Sequence, residues 1–123
     1  MAFRLVKAPV FWWPVVVRTP AADRPGAVEE HRFEMEFEAI GQDEARRLRD
    51  EVAAISDPAG RERREHALLE RVCRNWREVT DEDGKSVPFS ADAFAAALQI
   101  TWVRAAIYAA DAEAMNGEAR LGN

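Results

Sequence analysis

His31-Arg-Phe-Glu-Met-Glu-Phe-Glu-Ala39 decides the fold: apolar and charged residues alternate, so Phe33, Met35, Phe37 and Ala39 share one face and Arg32, Glu34, Glu36 and Glu38 the other. Successive side chains of a strand point to opposite faces, so this period of two marks a β-strand buried on one side. The charged face keeps an exposed strand soluble and discourages pairing with stray edges. Upstream, Trp13-Pro-Val-Val-Val-Arg18 is rich in β-branched residues, and Thr19 to Val28 between the two runs holds Pro20, Asp23, Pro25 and Gly26. Turn residues flanked by two strand-like runs predict an antiparallel hairpin within residues 1–40.

After Gly41 the apolar period becomes helical. Asp43 and Glu44 suit the positive end of a helix dipole, which predicts a first helix over 42–55. Asp57-Pro58 reads as an N-cap followed by proline at the first helical position. It predicts a second helix reaching residue 78, with Leu69, Val72, Cys73 and Trp76 on one buried stripe and Trp76 in the core. Thr80-Asp-Glu-Asp-Gly84 is a turn, Val87-Pro-Phe89 is a short extended piece, and Ser90 caps a helix over Ala91 to Leu98. A last helix over Trp102 to Met115 puts Val103, Ala106, Ile107, Ala110 and Ala114 on one side, and Asn116-Gly117 stops it. The expected class is α+β, an N-terminal antiparallel β-hairpin or small sheet packed on a C-terminal bundle of about four helices. With 123 residues there is material for one core, so 1–123 reads as a single domain, with 1–40 the hairpin region and 41–123 the helical region.

Composition narrows the function. Hydrophobic residues at 48% supply enough apolar surface to fold, and a net charge of −5 argues against sequence-independent binding to nucleic acid. From Asp43 to Glu78, nine arginines balance nine acids, so the acidic excess lies in the flanking segments. Cys73 is the single cysteine and no signal-like opening is present, which points to the cytoplasm. The apolar run Val10 to Val17 is interrupted by Pro14 and falls well short of the roughly 20 residues of a spanning helix, so no membrane segment is expected.

The reactive residue types do not assemble into a centre. His31 and His66 lack a second ligand at metal spacing and read as solvent-facing. Asp81-Glu-Asp-Gly84 lacks the alternate oxygen ligands and the twelfth-position glutamate of a calcium loop, and reads as an acidic turn. Cys73 lies on the apolar stripe and reads as a buried, inert thiol. Asp43 with Arg47, Arg61 with Glu65 and Glu70 with Arg74 are spaced as solvated ion pairs on helices. No glycine series cradles phosphate. No catalytic, metal or cofactor site is therefore expected, and the protein is read as not an enzyme.

Aromatic residues carry more information. Phe11, Trp12 and Trp13 are consecutive, a strand buries only one face of such a run, and so at least one large ring stays near the surface. The bland reading is a corner wrapped over the helices. With Trp102 and Tyr108, these three form the candidate partner-binding set, and the Ala-rich last helix is a second candidate contact surface.

Trp76-Arg-Glu-Val-Thr-Asp-Glu-Asp-Gly-Lys-Ser-Val-Pro-Phe-Ser90, then Ala-Asp-Ala-Phe, Ile107-Tyr-Ala-Ala and the ending Arg120-Leu-Gly-Asn, resembles the tail assembly chaperones of long-tailed bacteriophages. Phe3 to Thr19 is similar to that family's N-terminal hairpin. The likeness spans most of the chain, except Arg46 to Arg64, and Trp12-Trp13 is bulkier than the family pattern. It implies a phage or prophage protein in the host cytoplasm, absent from the mature virion. Such a protein binds the tape measure and tail tube proteins and prevents their premature polymerisation, with homo-oligomers possible. A small acidic interaction or regulatory domain, adaptor or antitoxin-like, is the competing reading.

Overall fold

The alternating segment forms the central strand of a three-stranded sheet. Strands β1 (Val10–Pro20) and β2 (Val28–Glu38) pair antiparallel along their whole length, from Val10 opposite Glu38 to Pro20 opposite Val28. Between them, Ala21 N donates to Ala27 O at 2.9 Å, and Gly26 takes a left-handed φ of 85° that a residue with a Cβ adopts only at a cost. This is a computed structural model, and it describes residues 1–117; the Arg120-Leu-Gly-Asn ending lies outside them. The α+β class read from the sequence is the class observed.

Helix α1 (Gln42–Ala53) follows β2 as expected, and Asp57 caps α2 (Pro58–Arg64) by accepting from Gly60 N at 3.0 Å. The expected continuous helix to residue 78 is not formed. The chain breaks after α2, makes the short α3 (Ala67–Val72), and then extends as β3 (Cys73–Arg77), antiparallel to β2 at the sheet edge. The reason lies in the register. Met35 faces Trp76 and Glu36 faces Asn75, but Phe37 faces Cys73, so Arg74 is an extra, bulged residue. The bulge turns Cys73 and Trp76, three apart, toward the same side, and that spacing looks helical in a sequence.

Ser90 Oγ accepts from Ala93 N at 3.0 Å and starts α4 (Ala91–Leu98), and α5 (Thr101–Met115) runs back along β1. Small residues make that approach possible: Ala106, Ala109 and Ala110 flank Pro14 and Val16. The core joins Val15, Val17, Met35 and Phe37 of the hairpin to Leu69 and Val72 of α3, Phe94 and Leu98 of α4, and Ile107 of α5. Trp76 sits among Phe33, Phe89 and Phe94, with ring centroids 5.1 to 6.3 Å away, and its Nε1 donates to Val87 O at 2.8 Å. A tryptophan whose N–H is bonded can be buried without a polar cost, so the core assignment of Trp76 holds.

The charged face of β2 departs from expectation at one end. Glu38 is only 7% exposed, because its carboxylate accepts from Arg74 Nη1 at 2.6 Å and Arg71 Nη2 at 3.0 Å. Arg71 also donates to Glu44 at 2.6 Å, tying α3 to α1. The three expected ion pairs along helices are replaced. Arg47 approaches Glu44 at 3.9 Å, Arg61 donates twice to Ile55 O, and Arg74 leaves Glu70 for Glu38. Arg74 is on a strand and no longer shares a helix face with Glu70. Short charge-assisted bonds to a desolvated acid also outweigh weak exposed pairs.

Candidate interaction surface

The five aromatic candidates occupy separate places. Phe11 stacks at 6.0 Å on Phe37 and meets Trp13 edge-on at 6.5 Å, both half-buried against the core. Trp13 Nε1 donates to Glu113 Oε1 at 3.3 Å, which pins β1 to the far end of α5. Trp12 projects to the opposite face, where the Arg77 guanidinium lies 4.1 Å over its ring and Arg77 Nε donates to Glu34 at 2.5 Å. Tyr108 donates its hydroxyl to Glu65 O at 2.8 Å, joining α5 to the turn between α2 and α3, and burial pushes its pKa up. Trp102, in the first turn of α5, is 50% exposed. The structure thus groups Phe11 with Trp13, and sets Trp12, Tyr108 and Trp102 apart from them.

Trp102 owes its exposure to the junction of the last two helices. Helices α4 and α5 meet at 104°, and Arg104 Nη1 donates to Leu98 O at 3.1 Å across the corner. The bend directs Ile107 inward and leaves Ile100, 48% exposed, beside Trp102. Together they wall an open groove of about 650 Å³ that reaches Val17, Phe33, Val79 and Val103, with His31, Arg32 and Glu78 as its polar border. Contiguous exposed apolar surface of this kind marks interaction sites. Ile100 was not singled out in the sequence, and the signal for it was the break between two helical runs at Gln99-Ile100.

A second exposed apolar feature is residues 1–9. The hairpin begins at Val10, so the first seven residues of the stretch Phe3 to Thr19 lie outside it. Pro9 O accepts from Ala39 N at 2.9 Å, and Ala8, at a left-handed φ of 56°, turns the chain away from the sheet. Beyond it Phe3 and Leu5 are 86% and 88% exposed. Their spacing of two, interrupted by Arg4, was the available signal.

Cys73 is buried and desolvation, with Asp111 adding to it, pushes its pKa up, which disfavours the nucleophilic thiolate. Burial also raises the pKa of Asp111. His66, expected to face solvent, is instead half-buried, and its Nδ1 has no hydrogen-bond partner among the described residues. It borders a cavity of about 540 Å³ where Glu62 and Glu70 offset Arg63 and Arg104. Asp81 Oδ1 accepts from Asp83 N and Lys85 N at 2.9 and 3.0 Å, so that acid closes its own turn. Among the described residues, no group of three His, Cys, Asp or Glu is placed to hold a metal ion, and no single helix is long and apolar enough to cross a membrane.

Comparison with family models, with curated proteins and with solved structures found no match to this chain.

Proposed function

We propose that this protein is an assembly chaperone of the phage tail type, holding tail tube and tape measure proteins before they polymerise, through the groove walled by Trp102 and Ile100. The observation that carries the reading is this apolar groove, open beside a half-exposed tryptophan on an otherwise charged body. The sequence likeness of Trp76 to Ser90 supplies the client class. In this reading an apolar segment of the client lies against Trp102, Ile100 and Val79 while the acidic body keeps the complex soluble. The groove is open and its border polar, so the contact reverses when client subunits find one another.

Co-expression with a tail tube protein and a tape measure protein tests this. The parent chain is expected to keep them soluble and unpolymerised. A Trp102→Ala, Ile100→Ser double variant that folds but no longer does so supports the groove. Undiminished protection by that variant places the contact elsewhere, and clients that assemble regardless of the parent chain overturn the chaperone reading.

A further inference from the structure

Two features of this molecule each leave apolar surface in water, and they lie at opposite ends of β1. Residues 1–9 leave the sheet beside Val10, with Phe3 and Leu5 almost fully exposed. The Trp102 groove opens at the other end, beside Val17 and Thr19. Strand geometry sets the separation: seven residues from Val10 to Val17 span about 23 Å at roughly 3.3 Å per residue. Leu5 is five residues from Val10, and even a fully extended chain carries it only about 17 Å. It would also have to reverse direction at Ala8. The arm therefore cannot place both Phe3 and Leu5 in the groove of its own chain.

Charge favours the same pairing between chains. The arm carries Arg4 and Lys7 and no acid, whereas the remainder of the chain is acidic. Next to the groove stand Glu78 on its border and Asp81, Glu82 and Asp83 in the turn that follows Thr80. Arg32, on the groove's border, is already engaged with Glu30 at 3.5 Å. An apolar, basic, extended segment meets an apolar groove with an acidic neighbourhood.

We propose that the groove is filled by the arm of a second copy of this chain, the two copies exchanging residues 1–8 reciprocally in a two-fold dimer. Phe3 and Leu5 lie against Trp102, Ile100 and Val79 of the other copy, and Arg4 and Lys7 face its Glu78 to Asp83 segment. Each arm covers the other's groove, which is the self-complementary arrangement a two-fold axis requires. The exchange goes beyond the client reading and does not depend on it, since it is read from mass alone; arm and client share one groove, so a client displaces the arm when it binds.

Sedimentation equilibrium of the full chain over a dilution series is the experiment. The parent is expected to approach twice the 13.9 kDa chain mass at high concentration, and to dissociate as salt rises because the arm contact is partly ionic. A Phe3→Asp, Leu5→Asp variant alters only side chains outside the packed body and is expected to sediment as a monomer. Trp102→Asp should do the same, and mixing these two variants should restore dimers, since one intact arm and one intact groove remain. A second check is a Leu5→Cys, Val79→Cys variant, in which oxidation is expected to link two chains covalently. A parent that is monomeric at every concentration, a dimer that survives Phe3→Asp, Leu5→Asp, or a disulfide that forms only within single chains overturns the proposal.

Discussion

At the end of the sheet where β1 starts and β2 finishes, the large side chains packed on the sheet have internal partners: Phe11 on Phe37, Trp13 bonded to Glu113, Glu38 held by Arg71 and Arg74. At the other end the same two strands and the same helix α5 leave Ile100, Trp102 and Val28 in water. The difference arises from what covers each end. Helix α3 and the bulged β3 seal the first with apolar and ionic groups, whereas the right-angled corner of α4 and α5 stands over the second without filling it. One end is thus committed to stability, and the other has surface to spare for a partner.

That division is broken most forcefully at Phe37, which is completely buried at the sealed end. Phe37→Ala is expected to destabilise the protein by about 3–5 kcal/mol, the transfer loss plus the cavity left behind. Chemical denaturation gives the value, and a change well below that range means the sealed end repacks freely and is not the stable half.

Glu38→Gln comes next, since it leaves the Arg74 guanidinium without its carboxylate and strips one of two acids from Arg71. Arg71 first, then Arg74, holds the Glu38 carboxyl below the usual carboxylate range. A depressed folded pKa means the contribution is present above the unfolded value and is lost as pH falls through the folded one. The variant's deficit is therefore expected to be full at neutral pH and to shrink toward zero in acid. A deficit that does not change with pH would show that the loss is one of packing and not of charge.

Asp111→Asn sharpens the contrast with the opposite sign. Burial raises the Asp111 pKa, so the folded chain retains a proton that the unfolded chain has released. The proton-linked stability is complete below the unfolded carboxylate pKa and lost as pH rises through the raised folded value. At neutral pH the amide variant escapes the cost of a half-buried charge and is expected to melt slightly higher than the parent, with the gap closing in acid. Equal melting at neutral pH would mean that water or movement of α5 already relieves Asp111.

Much of the fold could be read in the sequence because its signals are local. The period-two run of β2, the Asp57 and Ser90 caps, and the Asp-Gly turn at Asp83-Gly84 each declare themselves within a few residues. Strand β3 does not, since Cys73 and Trp76 face the same way only through a bulge that depends on pairing with β2. The burial of Glu38 is hidden for a related reason: alternation assigns it to the charged face, and only the fold brings Arg71 and Arg74 over it. The open end was legible in part. Trp102 was visible as an aromatic, but its exposure depends on the angle between two helices, and the arm was absorbed into an expected hairpin.

A modest loss of stability is expected at Trp102, and it is the most discriminating. Trp102→Ala removes a side chain of which the fold covers about half, so area alone suggests a loss of roughly 1–2 kcal/mol, well below that at Phe37. Partner-dependent readouts, the soluble client and the dimer mass, are expected to fall much further than stability does. The pairing of the two variants carries the argument. If Trp102→Ala costs as much stability as Phe37→Ala, its ring is a structural member and the groove is an incidental gap beside it. If it costs little while binding is lost, the energy of that ring is realised only when another chain covers it, and the open end of the sheet is its surface for contact.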